Sequence, residues 1–335
     1  MTATAELVQL QRPTRATDAN RRVAPRKIRL TIDSQPVTVP DGTSILGACH
    51  TIGVAIPTLC FLETLHPVNA CRICVVEVEG ARVLVPSCSR AVEEGMVVHT
   101  DSPRVRHSRK LVLELLASSV DLSTTPEVGA WIDRYDATPD RFGPPAPPSA
   151  VDARATTQPG HHEPPDPRYA ATVAEPPTID NDLYVRDYAK CILCYKCVEA
   201  CGPDHQNTFA IGVAGRGFDA HISTEFAVPL PESACVYCGN CIAVCPTGAL
   251  MAKTEFDRRA AGVWDERRMT TTDTICPYCG VGCTLTLHVS RGEIVKATSP
   301  LENAITQGNL CIKGRFGWRF VGNRPAPDGN GDARR

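Results

Sequence analysis

Cys191-Ile-Leu-Cys194-Tyr-Lys-Cys197-Val-Glu-Ala-Cys201 is followed 44 residues later by Cys235-Val-Tyr-Cys238-Gly-Asn-Cys241-Ile-Ala-Val-Cys245-Pro246. Thiolates are soft ligands that suit zinc or iron–sulfur clusters, and their spacing decides between the two. Structural zinc takes two separated C-x2-C pairs that close a single tetrahedron. Here three closely spaced thiolates wrap three corners of a cube, and the fourth reaches a neighbouring cube. On this logic one [4Fe-4S] cluster takes Cys191, Cys194, Cys197 and Cys245. The other takes Cys235, Cys238, Cys241 and Cys201. The crossing holds the two cubes close together, as electron transfer between them requires.

This double run is the bacterial ferredoxin spacing, with one departure: the first run ends in Cys201-Gly202-Pro203 rather than Cys-Pro. The remaining cysteines fall into order around it. The chain of 335 residues has 17 cysteines and only 5% aromatic residues. Cys60, Cys71, Cys74 and Cys88 form an earlier set, and Cys276, Cys279, Cys283 and Cys311 a later one, leaving only Cys49 over. A reducing cytosol disfavours a disulfide framework, so this cysteine content points to metal. Cys49 shares a helical face with Ile45 and Ile52 and is read as a small core residue rather than a ligand.

The first set, Cys60-x10-Cys71-x2-Cys74-x13-Cys88, departs from the plant-type C-x4-C-x2-C spacing. It keeps a C-x2-C pair and two flanking cysteines in a strand–helix–hairpin context. Ile28, Leu30 and Ile32 alternate as a half-buried strand, and Pro36 to Val39 follow a Ser34-Gln35 turn. Ser44 starts a helix, and Val75–Val78 and Val83–Val85 flank a Glu79-Gly80 turn. A [2Fe-2S] cluster on a β-grasp scaffold is the reading, with zinc as its rival. The fourth set opens with "CPYCGVGC" at Cys276 and closes at Cys311. It is read as a third [4Fe-4S] site, with Gly280 and Gly282 turning the backbone round it. Leu285, Leu287 and Val289 then leave as a strand that Arg291-Gly292 turns back.

These units give an α+β, multidomain chain. The boundaries expected are a disordered arm over 1–26, a two-iron domain over 27–100, a helical segment over 101–135 and a Pro-rich linker over 136–180. A two-cubane domain over 181–262, a β-rich cluster domain over 270–322 and a flexible tail over 323–335 complete the chain. Ser102-Pro103 begins the helical segment, whose apolar face is read as Leu111, Val112, Leu115 and Leu116. Eleven prolines lie in the 39 residues from 139 to 177, so that stretch builds no core of its own; His161-His162 within it is read as solvated. The net charge is −2, which gives no global field for nucleic acid. No apolar run is long enough for a membrane span. Arg21-Arg22 is not followed by an apolar segment, so no export signal is read and a cytoplasmic location is expected.

The whole arrangement from 27 to about 322 resembles the iron–sulfur half of the cytoplasmic, molybdopterin-dependent formate dehydrogenase alpha subunit. It is also similar to the large iron–sulfur subunit of respiratory complex I. The resemblance is most specific over "CPYCGVGC" and "NAITQGNLCIKGRFGWRF", between Cys276 and Phe320. It implies that Lys313, two residues after Cys311, is an electron relay towards a pterin cofactor. It also implies a further cubane held by one His and three Cys, yet the matching stretch "LELLASSVDLSTTPEVGAW" (113–131) has neither residue type. That cluster is expected to be absent, which removes a relay station between the two-iron site and the cubane pair. The family's molybdopterin domains follow the fourth cluster, whereas only 24 residues follow Cys311 here, without Cys or His. Molybdopterin guanine dinucleotide is therefore expected only in a partner.

The function implied is electron transfer between a separate molybdopterin catalytic subunit and a flavin/NAD-binding subunit or soluble carrier. No catalytic residue is assigned to this chain. Two alternatives stand beside it: an electron-transfer subunit of a complex I-like or hydrogenase assembly, and a zinc-stabilised interaction scaffold. No G-x-S-x-G or phosphate-binding glycine loop supports a hydrolase.

Overall fold

The computed structural model describes residues 26–143, 168, 176–217 and 220–322. The expected arm, most of the Pro-rich linker with His161-His162, and the tail lie outside the described residues. Strands β1 (Lys27–Ile32) and β2 (Gln35–Pro40) form a hairpin that pairs Ile28 with Val39 and Leu30 with Val37. Its turn is Asp33-Ser34, both left-handed (φ 46° and 68°), one residue earlier than the sequence suggests. That double left-handed turn matches the right-handed strand twist, which explains the tight closure. Helix α1 (Ile45–Thr51) follows, capped by Ser44, whose hydroxyl accepts from the Gly47 amide at 3.0 Å.

Strand β3 (Val75–Val78) pairs with the two-residue β4 (Val85–Pro86). Val83, expected to open the second strand, stays exposed outside the observed one. Strand β5 (Val97–His99) inserts parallel to β1 and antiparallel to β3, so the order is β2-β1-β5-β3-β4. Alternate residues Ile28, Leu30 and Ile32 face a core closed by Ile45, Leu46, Cys49 and Val98. Cys49 is fully buried there, and burial pushes its thiol up to about 12. It packs as a neutral apolar group.

Helix α2 (Pro103–Ser119) starts at the Ser102 cap, and α3 (Pro126–Arg134) follows. Of the expected apolar face, Val112 and Leu116 pack half-buried against a core, whereas Leu115 is 52% exposed. The fully buried residues are Val105, Arg109, Leu113, Glu114 and Ser118. Buried Arg109 donates to the carbonyls of Ile73 (3.2 Å) and Val75 (3.0 Å) and to the Tyr135 hydroxyl (2.8 Å). Buried Glu114 accepts from Arg141 at 2.7 Å and from the Thr138 amide at 3.1 Å. Satisfied polar groups thus widen the buried face beyond what hydropathy alone selects. A second core of Leu59, Ile73, Leu113, Val128 and Tyr135 seats this helical pair on the two-iron domain.

Strand β6 (Tyr184–Arg186), helix α4 (Lys196–Cys201), the hairpin β7 (Gly212–Ala214) and β8 (His221–Ser223), helix α5 (Asn240–Val244) and strand β9 (Leu250–Ala252) form the next unit. The two cysteine-run helices lie side by side, and β6 pairs antiparallel with β9. Helix α6 (Lys253–Ala260) leads to the antiparallel meander β10 (Thr270–Ile275), β11 (Thr284–Ser290) and β12 (Glu293–Thr298). Arg291-Gly292, both left-handed, turns β11 into β12 as expected. Short helices α7 (Ile312–Phe316) and α8 (Arg319–Gly322) close the described chain. No described helix is long and apolar enough to cross a membrane.

Candidate metal centres

The two runs of the opening stretch are built alike in three dimensions. Leu193 and Tyr195 flank Cys194 in the left-handed region (φ 51° and 61°); Tyr237 and Gly239 flank Cys238 in the same way (φ 56° and 71°). Three of these four residues carry side chains that resist that conformation. Such strain persists where the surroundings over-determine it, typically at a functional site. Each loop then enters its helix, α4 or α5, at the third cysteine.

The cavities left between these loops report the crossing. One small cavity is lined by Cys191, Cys194, Cys197 and Cys245, with Tyr188 and Ile222. Another is lined by Cys201, Cys235, Cys238 and Cys241, with Tyr184 and Leu230. The fourth cysteine of each run lines the other run's cavity, as the spacing implies. Among the described residues no three His, Cys, Asp or Glu converge tightly enough for a single metal ion. Thiolates of a cubane each take a different iron around an enclosed volume, so soft donors lining two cavities fit clusters rather than zinc. Burial pushes the thiols of Cys194, Cys197 and Cys241 up, so a bound metal rather than water must stabilise their thiolates.

The first set pairs off. Cys74 Sγ lies 3.5 Å from Cys88 Sγ. Within each pair, Cys60 with Cys71 and Cys74 with Cys88, the thiol–thiol contact lowers one thiol, that of Cys60 and of Cys74, and raises its partner. Two thiol pairs are the donor set of a two-iron cluster, in which four cysteines serve two irons. Three of the four cysteines are buried.

The fourth set is different. Cys276 is buried beside Leu285 and Leu310, and its amide donates to the Cys283 carbonyl at 2.8 Å. Cys279 and Cys311 are exposed. Cys276, Cys279 and Cys311 all raise the thiol of Cys283, after burial, which places the four together. Gly282 takes the left-handed turn (φ 66°), whereas Gly280 does not. Beside the cysteines of this set in the chain, Ile275 (62% exposed), Val281 (58%) and Ile312 (40%) are exposed apolar residues. Lys313 is exposed in the first turn of α7, next to Cys311 in the fold as in the chain.

Residues 25–103 match the family of 2Fe-2S iron-sulfur cluster binding domains, residues 190–249 the 4Fe-4S dicluster domain, and residues 269–323 the molybdopterin oxidoreductase Fe4S4 domain. The chain is a multidomain iron–sulfur protein. It is 33% identical over 304 residues to an NADH-quinone oxidoreductase subunit of Rhizobium meliloti, covering 89% of this chain and 32% of that one. It is 35% identical over 300 residues to the NADPH-Fe(3+) oxidoreductase subunit alpha of Geobacter sulfurreducens, covering 88% and 31%. This iron–sulfur protein therefore spans about a third of the length of those curated relatives. Its fold is like that of an NAD+-reducing [NiFe]-hydrogenase in the H2-reduced state (TM-score 0.52, 23% identity, 68% of this chain and 87% of the other).

Three site residues escaped the reading of the cysteines. Tyr184 places its hydroxyl 2.8 Å from Cys235 Sγ. Lys196, inside the first run, is buried, and the thiolates of Cys194, Cys245, Cys60 and Cys71 all act on its ammonium. Arg315 is buried against the second run. Only Lys196 carried a signal in sequence, since a residue between two ligands cannot leave their neighbourhood.

Proposed function

We propose that this chain is the electron-transfer part of a formate dehydrogenase-like molybdopterin oxidoreductase. Cys60, Cys71, Cys74 and Cys88 hold a [2Fe-2S] cluster, and the other three sets hold three [4Fe-4S] clusters. These groups supply one-electron stations between a separate molybdopterin catalytic subunit and a flavin/NAD subunit or soluble carrier. The observation that carries the reading is the fourth site. The other three sets are largely enclosed by this chain, but Cys279 and Cys311 are exposed, as are their apolar chain neighbours Val281 and Ile312 and, beside Cys276, Ile275. An exposed apolar patch at a metal site marks an interaction surface. A catalytic subunit seated there would bury these residues and bring its cofactor to Lys313. The match of residues 269–323 to the molybdopterin oxidoreductase Fe4S4 domain supports that occupant.

The missing His/Cys cluster does not break the path. The loop Cys60–Cys71 packs onto the two-cubane unit: Leu62 and Leu65 meet Ala200 and Val244, and Ile192 meets Cys71. His205 bonds the Thr64 carbonyl at 3.0 Å, and the His66 amide donates to Asp204 at 2.7 Å. The two-iron site therefore lies directly beside the cubane site of Cys191, Cys194, Cys197 and Cys245, with Lys196 between them. The soluble end of the chain of stations is the two-iron domain, and a cytoplasmic location follows from the reduced thiols it requires.

The test is metal analysis of the protein isolated anaerobically from its host under a mild tag. The expected result is about 14 iron atoms per chain with one molybdenum or tungsten in the complex. Zinc in place of iron would reject the cluster reading. Iron without molybdenum or tungsten would reject the molybdopterin partner and favour the complex I-like or hydrogenase assembly.

A further inference from the structure

A guanidinium is buried at the boundary between the two-cubane domain and the fourth cluster domain. Arg315, on α7, is 6% exposed. Its Nε donates to the Cys238 carbonyl at 3.4 Å, and its Nη2 donates to Asn240 Oδ1 at 3.1 Å and to the Gly308 carbonyl at 3.4 Å. Asn240 Oδ1 also accepts from the Leu310 amide at 3.1 Å, so one amide oxygen ties both segments. The side chain lies against Gly239, where a Cβ would stand 3.0 Å from Arg315 Cγ. The loop has no side chain there, and the arginine fills the space.

No carboxylate of the described residues pairs with this cation. Arg109, the other deeply buried arginine on α2, has Asp101 at 3.7 Å. Arg186 has Asp180 at 2.5 Å. The hydrogen-bond acceptors of Arg315 are all neutral, and the ionisable groups beside it are the thiols of Cys238 and Cys241. A buried charge without a partner is strongly unfavourable. Four thiolates around a cubane carry net negative charge, and that charge grows by one on reduction. A cluster held by Cys238 and Cys241, on the loop that Arg315 packs against, would supply the missing counter-charge.

We propose that Arg315 is the counter-ion of the cluster held by Cys201, Cys235, Cys238 and Cys241, delivered across the domain boundary. Loading of that cluster then favours docking of the 270–322 domain, and the docked guanidinium raises the cluster's reduction potential by favouring the more negative, reduced state. The inference rests on the ligand assignment above. Arginine suits the place because its planar fork reaches three acceptors on both sides of the boundary.

The experiment compares wild type, Arg315→Lys and Arg315→Gln as full chains reconstituted anaerobically, with cubane midpoint potentials read by EPR-monitored titration. The expected result is a shift to more negative potential in Arg315→Gln at full iron content, largely restored in Arg315→Lys. Equal potentials in wild type and Arg315→Gln overturn the role of Arg315 alone. A wild-type chain without two cubane signals overturns the ligand assignment instead. A second measurement leaves Arg315 in place: hydrogen exchange of segment 308–318 in loaded wild type and in a loaded Cys235→Ser chain, which perturbs the second-run cluster but not the fourth. Protection that falls in Cys235→Ser supports the coupling, and equal protection overturns it.

Discussion

Tyr184→Phe isolates one hydrogen bond to a ligand sulfur. The Tyr184 ring is 2% exposed, held against Tyr237 (centroids 5.8 Å apart) and stacked on Phe316 (6.3 Å). Removing the hydroxyl leaves that packing intact. The hydroxyl lies 2.8 Å from Cys235 Sγ, and burial beside Cys235, Cys238 and Cys241 pushes its pKa far up, so the phenol keeps its proton and donates. A hydrogen bond to a charged acceptor contributes about 1.5–3 kcal/mol. It exists in both oxidation states, and only its strengthening on reduction moves the potential. If about a third of the energy is that difference, the change is about 0.5–1 kcal/mol, or roughly 20–45 mV for one electron. The potential of the Cys235 cluster should fall by that amount in an anaerobic EPR-monitored titration, at unchanged iron content. A rise, or a change below about 10 mV, would refute the assignment of the Tyr184 hydroxyl as donor to a cluster sulfur.

Other outcomes follow from neighbouring groups. The Asp204 carboxylate raises the pKa of His66 from 6.5 by hydrogen bond and charge. A raised folded value means the pair stabilises the junction fully below the unfolded value and loses that contribution as pH rises through the folded one. Hydrogen exchange across 61–68 should therefore accelerate as pH rises beyond the intrinsic base-catalysed rate, and His66→Ala should abolish the excess. Cys49→Ala should retain every iron and cost about 1 kcal/mol of stability in denaturant titration, since a buried small side chain loses only packing; loss of iron would make Cys49 a ligand. Cys201→Ser should alter the EPR signal of the second-run cluster and leave the cluster of Cys191, Cys194 and Cys197 intact. The reverse result would refute the crossed ligation.

The cysteine runs were readable because ligand spacing is a local constraint: x2 gaps wrap a cube whatever packs around them. The β1–β2 hairpin, the Ser44 cap and the Arg291-Gly292 turn were readable for the same reason, each being settled within a few residues. The burial of Arg109 and Glu114 on α2 was not, because they find partners at Ile73, Tyr135, Thr138 and Arg141, distant positions that no periodicity reveals. The boundary charges split along the same line. Lys196 is confined by its own run, with Cys194 and Cys197 on either side, so its burial could have been inferred from position alone. Arg315 sits 77 residues from the Cys238 carbonyl it bonds, and in sequence it is one more basic residue in a helix. On the proposal above, what makes its burial tolerable is an anion that the chain does not encode as a side chain. A buried cation with neutral partners would then be a readout of the cofactor from the protein side, visible only after the fold has closed around the site.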